Sequence, residues 1–158
     1  MTIEIGFRLS KDGCPKDGTR DLAKASEMDL RYDLFRGDLW LRVDGMDFSA
    51  AWNWVPILDA AVSFRRIVDD FEHGKDRAVF EFTESDHEIR FERESDQRIC
   101  VTTTFADGQG RVTLSDLRSA VHTFFSRILE EALIRCPDLK QNARFLDWYR
   151  DSLSGGKT

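Results

Sequence analysis

Histidine is the side chain that most readily moves protons near neutral pH, and the chain has three: His73, His87 and His122. No two of them stand four residues apart, the spacing that would place two imidazoles on one helix face for a metal. Each reads as a surface or structural residue. The densest carboxylates are Glu81, Glu84, Asp86 and Glu88, with His87 among them. A hard cation needs several converging oxygens, and strand alternation sends Glu81 and Glu84 to opposite faces. The run reads as the solvated end of a hairpin. Cys14 lies in a loop with Gly13 and Pro15 and is the thiol expected at the surface. No His neighbours it in sequence to lower its pKa. Cys100 and Cys136 read as structural. Three widely spaced cysteines with no Cys-x-x-Cys imply no disulfide framework and point to a reducing, cytoplasmic setting. Gly155-Gly-Lys-Thr resembles the end of a phosphate-binding loop, but it lacks the earlier Gly at the required spacing and a following helix. There is no Gly-x-Ser-x-Gly elbow and no Gly-x-Gly-x-x-Gly. The expectation is a non-enzymatic protein with no cofactor and no metal.

A second kind of chemistry is recognition, and here one stretch stands out. Between Asp38 and Pro56 lie three of the four Trp: Trp40, Trp52 and Trp54. Asp44 and Asp47 flank Gly45-Met46 just before them. Residues two apart share a face only in extended chain, so Trp52 and Trp54 can act together only if that segment is extended. One reading has Phe48 and a Trp plugging the core. The other leaves a Trp at the rim as an anchor for a partner, since Trp dominates such energies. Asp44, Asp47, Trp52 and Trp54 are the candidate partner-binding residues.

Elements must hold this stretch in place. Ile3, Ile5, Phe7 and Leu9 alternate with polar residues or Gly, the pattern of a half-buried strand. Leu30, Tyr32 and Leu34 alternate in the same way, and Arg36-Gly37-Asp38 leads on to Leu39, Leu41 and Val43, which predicts a hairpin. Ile57, Ala60, Ala61, Phe64, Ile67, Val68 and Phe71 repeat at helical spacing, with Gly74 as the left-handed stop. Three further strands, around 78–82, 89–91 and 99–105, form an antiparallel meander. Ser115 is the expected cap of a second long helix over 116–135, and Asp138 that of a short last helix. Each half therefore reads strand, strand, strand, helix, with Asp-Gly before each long helix, a possible internal pseudo-repeat. The expected fold is α+β: a mainly antiparallel sheet of about six strands with two long helices on one face and a short C-terminal helix. It forms a single domain over 1–153 with a disordered tail over 154–158.

The 158 residues carry a net charge of −6, with 41% hydrophobic and 33% charged residues. No apolar run is long enough to span a membrane, and the opening residues, without a basic region before an apolar core, lead to the expectation of no signal peptide. Acidic charge disfavours nucleic acid and anionic membrane as partners; it suits solubility first, or binding to a basic protein.

The run Leu39-Trp-Leu-Arg-Val-Asp-Gly-Met-Asp-Phe-Ser, then Trp52-x-Trp54-Val-Pro, Phe80-Glu-Phe-Thr-Glu-Ser-Asp86, Ile89-Arg-Phe91 and Thr104-Phe-Ala-Asp-Gly108, resembles a family of actinobacterial proteins with a domain of unknown function. The similarity covers roughly residues 30 to 135. More loosely, the element order and the Glu-Phe-Thr-Glu run are similar to the WapI-type immunity proteins of polymorphic toxin systems. That resemblance implies a cytoplasmic, non-enzymatic, acidic protein that neutralises a toxin domain by binding it. It carries over no functional residues. The alternative function is a ligand-binding or regulatory domain with a pocket between sheet and helices. Either a monomer or a homodimer fits, the latter if a Trp pair is exposed.

Overall fold

A computed structural model describes residues 2–11 and 21–154. The expected Cys14 loop and most of the expected tail lie outside these residues. At the tail's start, Ser154 still belongs to a helix.

β1 (Ile3–Leu9) pairs antiparallel with β2 (Arg36–Val43) along its whole length, from Ile3 opposite Val43 to Leu9 opposite Gly37. Gly37 is needed there, because a Cβ would collide with the Arg8 carbonyl. Asp44 and Gly45 take positive φ angles of 53° and 83°, the tight turn that leads β2 into the two-residue β3 (Met46–Asp47). β4 (Ala50–Pro56) then returns to β2 on the side away from β1. The second sheet is a meander in sequence order: β5 (Arg77–Glu81), β6 (Glu88–Ser95), β7 (Arg98–Thr103) and β8 (Gly110–Thr113).

The helices are α1 (Ile57–Glu72), α2 (Leu114–Arg135) and α3 (Ala143–Ser154). All seven residues of the apolar stripe read on α1 are buried. Phe64 sits at the crossroads, with ring centroids 5.2 Å from Phe80, 6.0 Å from Phe91 and 6.0 Å from Phe124. Phe124 also meets Phe7 of β1 at 6.0 Å, so the two helices join both sheets through one core. Burying each such Phe contributes roughly 1.5–3 kcal/mol. Gly74, at φ 93°, ends α1.

The fold is α+β with eight strands in two antiparallel sheets, where six strands were expected. Residues 30–34 are not a strand. Asp29–Asp33 form a π-helical turn with Leu30 buried, and the predicted hairpin with 39–43 does not exist. Alternation over five residues fits one helical turn as well as a strand. The added strands are β3 and β8, too short to show alternation, and β4, whose regular pattern is interrupted. Thr113, not Ser115, caps α2: its Oγ1 accepts from Asp116 N at 3.1 Å. Asp138 lies in a 3-10 turn (Pro137–Gln141), and Asn142 caps α3 by accepting from Phe145 N at 2.9 Å. Asn142 is buried, and its amide also donates to the Leu22 and Ala25 carbonyls at 2.8 and 3.0 Å. Cys136 is disulfide-bonded, against the expectation of no disulfide. Cys100 is a buried free thiol whose pKa burial pushes up.

Candidate partner-binding site

β4 leaves the regular ladder just where its aromatic residues lie. Gly37 pairs with Val55 and Leu39 with Ala50. Ala51, Trp52, Asn53 and Trp54 therefore stand opposite the single residue Asp38. Such a bulge bends a strand and re-aims its side chains. Asn53 adopts φ 65°, a left-handed conformation that Asn tolerates better than most residues. Its N–H donates to Asp38 Oδ1 at 2.8 Å, which fixes the bulge.

The consequence is an aromatic cluster at the join of the two sheets. Trp52 and Trp54 stack with centroids 5.2 Å apart and planes 23° from parallel. Trp52 meets Phe105 at 4.9 Å, Phe82 at 5.0 Å and His87 at 5.3 Å. Phe82, His87 and Phe105 all belong to loops at the ends of second-sheet strands. His87 Nδ1 lies 3.2 Å from Thr104 Oγ1, and Glu88 N donates to the same hydroxyl at 3.0 Å. Both Trp rings remain half-buried, so each keeps an accessible edge.

Asp44 and Asp47 sit on the adjacent hairpin and are exposed. Met46 between them reaches Gly108, whose loop also carries Phe105. Asp47 accepts from Ser49 N at 3.0 Å. Hydrogen bonds from the Ser49 side chain and backbone, with the Arg42 charge, hold its carboxyl below the usual range. The three segments that meet here, 44–54, 82–88 and 104–108, contain Asp44, Asp47, Glu84, Asp86, Glu88 and Asp107, and no Lys or Arg. Glu84 pairs with Arg36 at 3.3 Å and Glu88 with Arg90 at 2.5 Å. Among the described residues, the other four acids form no ion pair. The cluster is thus an aromatic centre with an acidic rim, in which Asp47 stands opposite Arg42 and Asp44 lies within electrostatic reach of Arg111.

The sequence reading brought Asp44, Asp47, Trp52 and Trp54 into one neighbourhood but missed Phe82, His87 and Phe105 as its far wall. Phe82 shares the parity of Phe80, which pointed only to a core strand. His87 read as a turn residue, and nothing local links it to Trp52. The other two histidines lie elsewhere. His73 is exposed, and its hydrogen bond to the Asp69 carbonyl and that residue's charge raise its pKa. His122 lines a cleft of about 510 Å3 among α1, α2 and α3. No group of three or more His, Cys, Asp or Glu that could hold a metal ion occurs among the described residues.

A second polar constellation was invisible in the sequence. Asp59, in the first turn of α1, is buried. Arg31 Nε and Nη2 donate to its Oδ1 at 2.9 and 2.6 Å, and Ser63 Oγ lies 3.5 Å from the same oxygen. Arg31 also donates to Glu27 at 3.3 Å, and Glu27 pairs with Arg144 of α3 at 2.6 Å. Burial opposes the charge on both partners. It prevails at Asp59, whose pKa is raised despite Arg31, Tyr32 and Ser63. At Arg31 the bonds to Asp59 and Glu27 outweigh it, and the pKa rises. The pair lines a cleft of about 400 Å3 between α1 and β5. The one sequence signal was an acid set among Ile57, Leu58, Ala60 and Ala61.

No family model, curated protein or solved structure matches the chain. No helix among the described residues is long and apolar enough to cross a membrane.

Proposed function

We propose that this chain is a small non-enzymatic binding protein that takes a basic protein partner at the aromatic cluster, in the manner of an immunity protein neutralising a toxin domain. The observation that supports it is the stacked Trp52–Trp54 pair with the exposed acids Asp44 and Asp47 on the adjacent hairpin. Half-buried Trp rings held rigid by neighbours supply contact area at little entropic cost. Exposed acids beside them steer a cationic surface and speed its approach. Asp44 and Asp47 serve the rim, Trp52 and Trp54 the centre. Nucleic acid and anionic membranes are disfavoured by the same charge.

The test is co-expression with the toxin encoded beside the gene. Growth should be rescued by the native chain and lost with Trp52→Ala, while Asp44→Asn with Asp47→Asn should slow association and flatten its salt dependence. Absence of a toxic neighbour, or rescue undiminished by all four changes, would overturn the reading. An immunity role places the chain in the cytoplasm, whereas the disulfide at Cys136 fits an oxidising compartment. Because Cys136 is buried, maleimide labelling after acid quench and denaturation of whole cells decides between them.

The cleft at Asp59 supports a second reading, a ligand-binding domain. A buried carboxyl with a raised pKa, facing a cleft between helix and strand, is what a small-molecule site offers. Fragment screening by NMR, with shifts centred on Arg31, Tyr32 and Ser63, tests it.

A further inference from the structure

β1 is an edge strand whose outer side carries no partner among the described residues. Its hydrogen-bonding phase can be read from its two ends. Asp44 N donates to the Thr2 carbonyl at 2.7 Å, and Ser10 N donates to the Arg36 carbonyl at 2.9 Å. In an antiparallel ladder, alternate residues face the neighbour. The even-numbered residues of β1 therefore bond to β2, and the N–H and C=O groups of Ile3, Ile5, Phe7 and Leu9 point to the open edge. This edge is also concave. Two adjoining clefts, of about 680 and 380 Å3, run along it and share Ile5, Gly6, Trp40 and Arg127. Trp40, at 45% exposure the most exposed Trp, stands opposite Gly6 in the register. A Cβ at Gly6 would lie only 3.3 Å from the Trp40 ring. On the other side α2 presents the small Ser119, Ala120 and Thr123 along the first cleft and the longer Glu130, Ile134 and Arg135 along the second.

We propose that the β1 edge binds a second copy of this chain, β1 against β1 in antiparallel register centred on Gly6, to make a two-fold dimer with a continuous sheet. The sequence of β1 is complementary to itself in that register alone. Gly6 faces Gly6, Ile5 faces Phe7 and Ile3 faces Leu9, so the open N–H and C=O groups meet each other in phase. Glu4 then faces Arg8 of the other copy, twice. Both sit in non-hydrogen-bonded positions, where side chains come closest. A shift of two residues either way sets Gly6 against Glu4 or Arg8 and removes both ion pairs. The paired glycines leave room above them for the two Trp40 rings. Long unprotected edges tend to find such partners, and an isologous contact closes after two copies. The surface lies on the opposite side of β2 from β4 and its Trp pair, so it is independent of the partner-binding reading.

The register gives a sharp test. Native protein followed by sedimentation velocity over a wide concentration series should pass from monomer to dimer. Glu4→Arg places Arg against Arg8, and Arg8→Glu places Glu against Glu4. Each should raise the dimer dissociation constant on the order of thirtyfold, as two cross-strand pairs turn from attraction to repulsion. An equimolar mixture of the two variants should form a heterodimer, because every pair is again opposite in sign. The charge-swapped double variant should self-associate like the native chain. Arg8 also pairs with Asp38 at 4.0 Å and Glu4 stands opposite Arg42 within the chain, so circular dichroism shows whether each variant is folded; if one is not, Glu4→Gln with Arg8→Gln, which removes the cross-copy pairs without a like-charge contact, carries the test and should weaken the dimer. A native protein that stays monomeric, or single variants that associate as the native does, would overturn the proposal. So would a mixture that associates no better than its parts.

Discussion

The two sheets have similar numbers of strands and differ in strain. The second runs β5 to β8 in sequence order, and none of its described residues other than Gly has a positive φ. Among the described residues, the three non-Gly residues with positive φ lie in or beside the first: Phe35 just before β2, Asp44 just after it and Asn53 within β4. The first sheet also has a bulge four residues deep on β4, and β2 contacts β1 on one side and both β3 and β4 on the other. The second sheet also has a register shift, between Arg93 and Ser95, but it lies at the far end of β6 from His87, whereas the first sheet's irregularities aim side chains at the aromatic cluster. Asn53 and the bulge carry the Trp pair across to the second sheet, while Asp44 shapes the acidic hairpin beside it. Local departures from the rules of strand structure commonly mark such sites.

The largest expected effect falls on the polar network that anchors the first half. Arg31→Met leaves the buried Asp59 carboxylate without its partner and should cost about 3 kcal/mol in urea unfolding. The second-half pair Arg135–Glu131, exposed and four apart on α2, should lose no more than about 0.5 kcal/mol on Arg135→Ala. Equal losses would erase the contrast. Next comes the bulge: Asn53→Val forces a β-branched residue into left-handed space and should cost about 1–3 kcal/mol. Asn53→Gly should cost little. If Val is tolerated, the bulge is not fixed by its backbone.

Two carboxylates of the first half should respond to pH in opposite senses. The folded chain holds the Asp59 proton more tightly than the unfolded chain does. Its increment of stability is full below the ordinary carboxylate pKa and is lost as pH rises through the raised value. Asp47, with its pKa depressed, contributes above the ordinary value and loses that contribution as pH falls through the lowered one. Urea midpoints across the acid range should show the two slopes, removed separately by Asp59→Asn and Asp47→Asn. The smallest signal is optical. Trp40 is 45% exposed and Trp148 only 3%, so Trp40→Phe should remove the largest share of acrylamide-quenchable emission, and Trp148→Phe the least.

Periodicity made α1, α2, β1 and the meander legible, because a buried stripe of Ile, Leu, Val and Phe repeats at the pitch of its element. It failed where the chain breaks its own period. β4 was hidden because Asn53 turns its φ positive in mid-strand, and residues 30–34 misled because five alternating residues fit a π-helical turn. The candidate site was legible by half. Asp44, Asp47, Trp52 and Trp54 lie within eleven residues of sequence. Their wall of Phe82, His87 and Phe105 comes from the other sheet, through contacts that leave no local trace. The Arg31–Asp59 pair, 28 residues apart in sequence, was hidden for the same reason.

Phe35 is fully buried at φ 58°, and its carbonyl accepts from Ile57 N at 3.1 Å. Pro56 gives α1 no side-chain cap, so the helix borrows its first acceptor from the entrance to β2. The opening turn of α1 thus has no complete set of bonds until the chain near residue 35 is in place. Folding of that turn should be late and governed by the strand. In hydrogen exchange, the Ile57 amide should become protected together with β2, while the amides in the middle of α1 are protected earlier.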